Sequence, residues 1–318
     1  MTAAPQILGA RKSASCVLVI GIFDGVHIGH RVIIEKAVAQ ARALGIDAVA
    51  LTFEPHPAAV LAPGREPDQL TTLEHRARLL ESLGVSALVA WPFDLPFAAL
   101  SPSNFESDIL RDYFQAEAIW VGENFTYGFK AAGTPVTLRS SEFLKGVEIN
   151  TQELYSTGSQ IASSTVIRLD IESGDVYRAW QLLQRPHVVE GVVVHGDARG
   201  RELGYPTANF AFSYQPSIPA DGVYAGWLHA DGETWPAAIS IGTNPTFNGV
   251  DRRVEAYALG RTDLELYDKP AAISFGWRLR ETLKFDGIDP LILQMKSDCE
   301  KAAELTRSFT PKFYSAKN

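Results

Sequence analysis

The chain has 318 residues, of which 46% are hydrophobic and 21% are charged, and its formal net charge is −8. This length allows two domains that each bury a core, and the composition is typical of a soluble enzyme. The acidic balance disfavours a nucleic-acid partner, which needs clustered Lys and Arg, and no apolar run approaches the roughly 20 residues that cross a bilayer.

The first 15 residues lack the charged start, apolar core and cleavage site of a signal peptide. We interpret them as a short disordered lead and expect a cytoplasmic protein. Cys16 and Cys299 are the only cysteines, and they lie far apart in the sequence. Such usage argues against a disulfide framework or a cysteine metal site.

Apolar runs and helix-like stretches alternate between about Cys16 and Arg168. The apolar runs cover 17–20, 48–53, 86–90 and 118–121, and the helical stretches lie near 30–44, 72–83 and 101–114. This alternation predicts an α/β domain with a doubly wound, mostly parallel sheet. Ligands of such sheets bind at the carboxyl ends of the strands, which points to the loops 21–30, 54–68, 91–97 and 122–135.

The segment GIFDGVHIGH at 21–30 stands where the first apolar run becomes a helix that Gly45 ends. The free N–H groups of a helix start favour an anion, and Gly21, Gly25 and Gly29 allow close approach of a phosphate. His27 and His30, three residues apart, supply donors to phosphate oxygens during nucleotidyl transfer. The competing interpretation is a glycine-rich turn with two surface histidines.

Two further loops follow predicted strands of this sheet. TFEPHP at 52–57 fixes the backbone around His56 with two prolines. In VGENFTYGFKAAG at 121–133, Asn124 is a candidate ligand of a phosphate or ribose, and its aromatic residues are candidates to pack on a flat ring. These aromatics also suit a role in capping the core.

Ser163, Ser164, Thr165 and Arg168 bring hydroxyls and a guanidinium to a predicted helix start. The hydroxyls are suited to cap the helix, and together with Arg168 they are equally suited to bind the β and γ phosphates of a nucleotide. Local chemistry leaves both interpretations open, because the two roles use the same geometry.

The pattern changes after residue 184 to short alternating strands broken by glycine and proline. We therefore predict two domains, 1–184 and 185–318, the second being a small β-barrel or sandwich closed by a C-terminal helix. The sequence leaves a homo-oligomer open.

Two candidate groups lie in this second domain. GRELGYPTANF at 200–210 contains a turn at Gly204, a rigid Pro206, and then Thr207 and Asn209, whose alternation puts both side chains on one face. Two neutral oxygen ligands suit Mg²⁺, which completes its shell with water and phosphate oxygens. An isolated pair of this kind is also typical of an ordinary turn and strand edge.

Glu255 lies in a largely apolar predicted strand, RRVEAYAL. A carboxylate in such a place is a candidate general base that takes the proton of an attacking hydroxyl. The alternatives are an edge-strand charge that discourages aggregation, or an ion pair with Arg252, Arg253 or Arg280.

The order and spacing of these motifs resemble the bacterial bifunctional riboflavin kinases/FMN adenylyltransferases, the prokaryotic FAD synthetases. The resemblance covers about residues 16–305 and is carried by GIFDGVHIGH, TFEPHP, VGENFTYG, SSTVIR, GRELGYPTANF, IPADGVYAG, IGTNPTF, VEAYAL, ELY and LRETLKF. It implies a Rossmann-like nucleotidyltransferase domain followed by a β-barrel kinase domain.

This resemblance implies ATP, riboflavin, FMN and FAD as substrates or products, with Mg²⁺ as cofactor. Its catalytic residues are His27, His30 and Glu255, and its metal ligands are Thr207 and Asn209. The nucleotide- and substrate-binding positions are Gly21, Phe23, Asp24, Gly29, Asn124, Ser163, Ser164, Thr165, Arg168, Gly204, Pro206 and Arg280. The alternatives are an enzyme that keeps only one of the two activities, or a catalytically silent flavin-binding regulatory protein.

Overall fold

The computed structural model describes residues 4–157, 160–196, 200, 203–246 and 249–313. Contacts within the chain divide it into two compact units. The first unit comprises Met1–Pro67 and Leu73–Ser163, and the second comprises Asp68–Thr72 and Ser164–Lys317. Arg201, Glu202 and Phe247, which belong to two of the motifs, lie outside the described residues.

The first unit contains a six-stranded sheet in the order β1-β4-β3-β2-β5-β6. Its strands are β1 (Gln6–Gly9), β2 (Cys16–Ile20), β3 (Asp47–Glu54), β4 (Ala87–Pro92), β5 (Ala116–Gly122) and β6 (Glu148–Gln152). Strands β2 to β6 run parallel. The chain moves outward from β2 to β4 and then returns to β5 on the other side of β2. The predicted doubly wound sheet is therefore confirmed, with its switch point between β2 and β5.

The helical stretches predicted near 30–44, 72–83 and 101–114 are all present in this unit, together with short helices that were not predicted. They are α1 (Ile28–Leu44), α2 (Pro57–Leu61), α3 (Leu73–Ser82), α4 (Leu95–Ala98), α5 (Pro102–Asn104), which continues as a π-helix over Phe105–Tyr113, and α6 (Pro135–Arg139). Short 3₁₀ turns cover Phe129–Ala131 and Glu142–Leu144, and a small hairpin pairs β7 (Ser156–Thr157) with β8 (Gln160–Ile161). The four loops predicted at strand ends do begin where β2, β3, β4 and β5 end.

Strand β2 forms the centre of the sheet and of the core, because it pairs with both β3 and β5 and none of its residues is more than 3% exposed. Cys16, its first residue, is a free thiol, as is Cys299. Burial raises the pKa of Cys16 to about 12 and the pKa of Cys299 to about 11. Both thiols therefore stay protonated and unreactive at neutral pH.

The prediction of a disordered lead is wrong for Gln6–Gly9, which forms β1. This strand pairs antiparallel with Ala87–Ala90 of β4 and closes the outer edge of the sheet. The pairing orders the segment through main-chain hydrogen bonds, which depend on a partner about 80 residues away. The composition of the first 15 residues alone does not indicate this distant pairing partner.

The second unit is a closed barrel in the order β10-β13-β12-β11-β14-β9, with all neighbouring strands antiparallel. Its strands are β9 (His187–Val194), β10 (Ala208–Ala211), β11 (Gly222–Ala230), β12 (Glu233–Thr246), β13 (Gly249–Ala258) and β14 (Pro270–Arg280), and its helices are α7 (Ser164–Ser173), α8 (Val176–Leu183) and α9 (Ile288–Thr306). The sequence left a barrel or a sandwich open, and the chain forms the barrel. The predicted C-terminal helix is confirmed as α9.

Helices α7 and α8 pack on each other, and α8 also contacts β9 and β14. Both helices therefore belong by contact to the second unit, although they precede the predicted domain boundary at 184/185. That boundary stays a prediction about where one functional domain ends and the next begins. Among the described residues, no helix combines the length and apolar character needed to span a membrane.

Candidate functional site

The turn after β2 lies at the switch point of the parallel sheet. Its backbone begins with the N–H of Gly21 donating to the carbonyl of Leu51 in β3, at 3.1 Å. Phe23, Gly25 and Val26 then take φ values of 53°, 82° and 40°. These left-handed conformations fold the chain back within a few residues. The reversal brings His27 to the start of α1 at the carboxyl edge of the sheet.

His27 is the N-cap of α1, a role the sequence analysis did not give it. Its Nδ1 accepts the N–H groups of Gly29 at 3.1 Å and His30 at 3.4 Å, and the residue is only 5% exposed. An accepting Nδ1 carries no proton, so the neutral ring holds its proton on Nε2 as a donor. The backbone thus sets the tautomer of this imidazole.

His30 stacks on His27 with ring centroids 3.7 Å apart. Its Nδ1 is buried and has no hydrogen-bond partner among the described residues. Burial, with smaller effects from His27 and Arg76, holds the pKa of His30 well below its usual value. A neutral imidazole with an unsatisfied polar atom therefore lies at the start of α1, where a ligand would complete its hydrogen bonding.

Two glycines of this turn are packed closely against neighbouring side chains. A Cβ on Gly29 would stand 3.1 Å from the His27 ring and 3.5 Å from Tyr155 Cβ. A Cβ on Gly21 would stand 2.9 Å from the Phe23 ring. The Phe23 ring in turn meets His30 edge-on at 5.4 Å. Side chains at either glycine would therefore push on the aromatic and imidazole rings that shape the turn.

A buried ion pair joins Asp24 of this turn to Arg76 of α3. Arg76 Nη2 lies 3.5 Å from Asp24 Oδ1, and both side chains are about 4% exposed. Asp24 was predicted from its motif as a binding residue, whereas Arg76 was not predicted. A charged residue among His75, Leu79 and Leu80 on the buried face of α3 was the available signal.

The loop after β5 presents Asn124 to solvent near the switch point. Phe125 and Tyr127 follow it, with their rings stacked at a centroid distance of 5.6 Å. Phe125 and Tyr127 pack on the core, so the predicted capping role is met by these two aromatics, whereas Phe129 is half exposed. His56, on the loop after β3, caps α2 by accepting the N–H of Ala58 at 3.1 Å.

The candidate phosphate clamp, Ser163 to Arg168, covers the point in the sequence where the segment Leu73–Ser163 of the first unit ends and the second unit continues. Ser163 is the last residue of the first unit, and Ser164 begins α7 in the second, which confirms the predicted helix start. Thr165 is exposed. Arg168 Nε donates to the carbonyl of Asp68 at 2.6 Å within the second unit. A nucleotide-binding role for these residues stays a prediction.

In the second unit, Thr207, Asn209 and Glu255 come together on the outer side of the barrel wall; we call them the barrel cluster. Thr207 Oγ1 donates to Glu255 Oε2 at 3.1 Å, and Asn209 is paired directly with Glu255 across β10 and β13. The predicted alternation holds, since Ala208, between Thr207 and Asn209, and Phe210, which follows Asn209, are buried in the barrel. On β13, Val254 and Ala256 on either side of Glu255 point into the barrel core. The carboxylate of Glu255 therefore faces outward.

Close backbone approach shapes this cluster. An added Cβ on Gly196 would stand 2.4 Å from the Asn209 amide nitrogen. Gly204 turns the chain with φ of 85°, and Pro206 leads into β10. Pro206 and Thr207 also line a cavity of about 40 Å³, together with Tyr267. This cavity is far smaller than the roughly 300–1,000 Å³ of typical ligand pockets.

The alternative ion pairs of Glu255 with Arg252 and Arg280 do not form. Arg252 Nε lies 3.0 Å from Asp221 Oδ1. Arg280 binds Asp298 of α9 with Nε and Nη2, the shortest contact being 2.7 Å, and its Nη1 donates to the carbonyl of Glu281. Arg280 therefore ties β14 to α9 in this structure, and its predicted substrate contact stays a prediction.

These features define a class: a two-unit α/β protein with a histidine-containing turn at the switch point of a doubly wound sheet and a separate polar cluster on a closed barrel. Residues 10–166 match the family model described as FAD synthetase, and residues 183–306 match that described as riboflavin kinase. The chain belongs to the bifunctional riboflavin kinase/FMN adenylyltransferase family.

Curated relatives of that name support the assignment. The chain is 35% identical over 306 residues to the Bacillus subtilis protein, covering 94% of this chain and 95% of the relative. It is 33% identical over 292 residues to the Escherichia coli K12 protein, covering 92% and 93%. A crystal structure described as a macrolide-efflux protein from Streptococcus pneumoniae superposes with a TM-score of 0.83 at 31% identity, covering 94% of this chain and 96% of the other.

The chain is accordingly an enzyme of flavin cofactor synthesis with riboflavin kinase and FMN adenylyltransferase activities. Its substrates and products are riboflavin, FMN, FAD and ATP. The alternatives of a single activity or a silent flavin-binding protein are set aside by matches to both families and by relatives that carry both activities in their names.

Proposed function

We propose that adenylyl transfer takes place at the turn between β2 and α1, and phosphoryl transfer at the barrel cluster. The observation that carries this assignment is the stacked pair of His27 and His30 at the start of α1. The buried Nδ1 of His30 has no hydrogen-bond partner among the described residues and is available to a ligand. Neutral imidazoles at a helix N-terminus suit a triphosphate, because they add oriented donors to the positive end of the helix dipole.

In adenylyl transfer, an oxygen of the FMN phosphate attacks the α-phosphorus of ATP. The bond from that phosphorus to the bridging oxygen breaks, FAD forms, and pyrophosphate leaves with the bonding electron pair. His27 Nε2–H and His30 stabilise the charge that grows on the phosphate oxygens, and no covalent enzyme intermediate is required. Gly21, Phe23, Asp24 and Gly29 shape the turn around these two rings.

The remaining nucleotide contacts follow from the family resemblance. Asn124, Ser163, Ser164, Thr165 and Arg168 are assigned to ATP binding because they occupy the matching motif positions. Their hydroxyl, amide and guanidinium donors suit phosphate or ribose oxygens. In the second unit, Gly204, Pro206 and Arg280 are assigned to substrate binding on the same basis.

In phosphoryl transfer, the ribityl 5′-hydroxyl of riboflavin attacks the γ-phosphorus of ATP, and ADP leaves. Glu255 takes the hydroxyl proton, a role that suits a carboxylate already held by the Thr207 hydroxyl at 3.1 Å. The neutral oxygens of Thr207 and Asn209 fit Mg²⁺, which would neutralise charge on the transferred phosphate.

The wider biological setting rests on the sequence alone. A cytoplasmic location, the lack of a nucleic-acid partner and a homo-oligomeric state stay predictions. Composition and net charge support the first two, and the third is open.

The test feeds riboflavin, ATP and Mg²⁺ to the full chain and separates the flavins by chromatography. We expect FAD from the wild-type protein, FMN without FAD from His30→Ala, and no FMN from Glu255→Ala. Glu255→Ala should still convert supplied FMN to FAD, so each variant carries its own folding control. Glu233→Ala, an exposed barrel glutamate, serves as the matched control and should behave as wild type. Wild-type FAD production by His30→Ala would contradict the assignment.

A further inference from the structure

Glu106 is a buried carboxylate that no motif and no proposed mechanism uses. It lies in the π-helix Phe105–Tyr113 and is only 6% exposed. The hydroxyl of Tyr127 donates to its Oε1, and Ser141 Oγ donates to its Oε2 at 2.5 Å. A carboxylate is costly to bury, so these two hydroxyl donors have to hold it in place. π-Helical turns are rare and occur often at functional sites.

Tyr127 fixes the loop that follows β5. Its N–H donates to the carbonyl of Gly133 at 3.1 Å, and the N–H of Gly133 donates back at 2.8 Å. The phenol ring lies over Gly133, where an added Cβ would stand 2.5 Å from the ring. The hydroxyl also lies 3.1 Å from Thr137 Oγ1. Burial and the Glu106 carboxylate raise the pKa of Tyr127, so the phenol keeps the proton that it donates.

Asn124 lies between this anchor and the end of β5. On one side, the N–H of Phe125 donates to the carbonyl of Gly122 at 3.0 Å and closes a turn around Asn124. On the other side, the Phe125 ring stacks on Tyr127. The position of the exposed Asn124 is therefore set by β5 and by Tyr127, and Tyr127 is set in turn by Glu106.

We propose that Glu106 is a positioning residue for adenylyl transfer, which acts through the Tyr127 hydroxyl to hold the loop that presents Asn124 to the nucleotide. The inference rests on the proposed function of Asn124 as an ATP ligand. A positioning role differs from a structural one, because losing it weakens nucleotide binding even where the fold stays intact.

The central experiment compares Tyr127→Phe with Tyr113→Phe in the full chain. Tyr113 is a neighbouring half-buried tyrosine whose hydroxyl makes no hydrogen bond with any residue that the structure describes. Tyr127→Phe should raise the KM for ATP in FAD formation from FMN by about fivefold, the size expected when the typical net contribution of one hydrogen bond is lost. The kcat should change less, and Tyr113→Phe should match wild type.

Two substitutions separate positioning from stability. Glu106→Gln keeps an oxygen acceptor and adds an NH₂ donor, so both hydroxyls retain a partner and the KM for ATP should stay within about twofold of wild type. Ser141→Ala removes the other hydrogen bond to Glu106 and leaves the Tyr127 contact in place. It should lower the melting temperature while the KM for ATP stays unchanged.

The inference is supported if Tyr127→Phe raises the KM for ATP, if saturating FMN does not restore that KM, and if Tyr113→Phe leaves the KM at the wild-type value. If Tyr127→Phe lowers only the melting temperature, or if Ser141→Ala raises the KM equally, Glu106 is purely structural and the inference is wrong. Riboflavin kinase activity of each variant reports on the second unit, and the melting temperature reports on the folding of the first unit, where the substitutions lie. Should Asn124→Ala leave the KM for ATP unchanged, the proposed role of Asn124 fails instead.

Discussion

His229 shows at the scale of one residue how burial links protonation to stability. The side chain is 1% exposed and lies inside the second unit. Its Nε2 is 2.6 Å from Ser274 Oγ, its Nδ1 is 2.8 Å from Thr234 Oγ1, and the ring stacks on Phe313 at 4.5 Å. Burial lowers the pKa of His229 to about 4. The folded protein therefore holds this ring neutral under conditions where the unfolded chain protonates it.

We expect the unfolding free energy to fall with pH below about 6.5 because of this group. Between pH 6.5 and pH 4 this histidine binds a proton in the unfolded chain but not in the folded chain, so lowering the pH favours unfolding. The loss between pH 6.5 and pH 5.0 should be about 2 kcal/mol, following from about 1.4 kcal/mol per pKa unit. Urea unfolding of the wild-type protein and of His229→Gln at both pH values measures it.

Glutamine keeps hydrogen-bonding atoms at position 229 but does not titrate. Its unfolding free energy should therefore depend less steeply on pH than that of the wild type, even if glutamine lowers stability overall. Equal pH slopes for the two proteins would show that His229 is not the group responsible.

Local motifs also predicted which side chains come together where those residues are close in the sequence. His27, His30 and Gly29 lie within four positions, and the structure does bring the two imidazoles together. Arg280 marks the limit of this reasoning. Its partner, Asp298, lies 18 residues away on α9, and no local pattern indicates that the two meet. Arg76, paired with Asp24 from 52 residues away, was missed for the same reason.

At the scale of elements, α1 combines two functions in its first turn. His27 caps the helix through Nδ1, and in the proposed mechanism the same ring donates to phosphate through Nε2. These functions are separable, because asparagine is a strong N-cap that lacks the second ring nitrogen. Substitution at this position can therefore distinguish helix stability from phosphate chemistry.

His27→Asn should keep the unfolding free energy close to that of wild type while FAD formation from FMN falls by at least an order of magnitude. His27→Ala should lose the same activity and also about 1 kcal/mol of stability, since two N–H groups of α1 lose their acceptor. Denaturant unfolding and an FMN-fed assay measure both quantities. Full activity in His27→Asn would mean that capping is the only function of this ring.

The elements themselves were predictable to the extent that their patterns are periodic. Alternating apolar runs and helical stretches predicted the parallel strands β2 to β5 and α1, because burial on one face imposes the period. The parallel strand β6 was not predicted, since none of its residues is fully buried. Strand β1 and the π-helix were not predicted either. The first depends on pairing with β4, and the second on an extra residue accommodated within one helical turn, as the N–H of Phe114 reaching back to Ile109 shows.

At the scale of the whole molecule, one chain carries two chemistries on two different architectures. The sequence indicated both, since βαβ alternation gives way to short strands within a few residues of position 184. It did not indicate that Asp68–Thr72 leaves the first unit to join the second. There Gln69 pairs with the backbone of Gln215 and Ser217, at 2.8 and 2.9 Å. Such long-range pairing between main-chain groups has no signature in side-chain pattern.

The two activities should also be separable between molecules. His30→Ala retains the proposed kinase site, and Glu255→Ala retains the proposed adenylyl-transfer site. Riboflavin, ATP and Mg²⁺ supplied to an equimolar mixture should therefore yield FAD, although neither variant forms FAD from riboflavin alone. FMN made by one protein has to pass through solution to the other, so the rate should rise with protein concentration. Chromatography over a dilution series measures this rate. FMN that accumulates in the mixture without conversion to FAD, while Glu255→Ala still converts added FMN, would mean that both sites have to belong to the same chain.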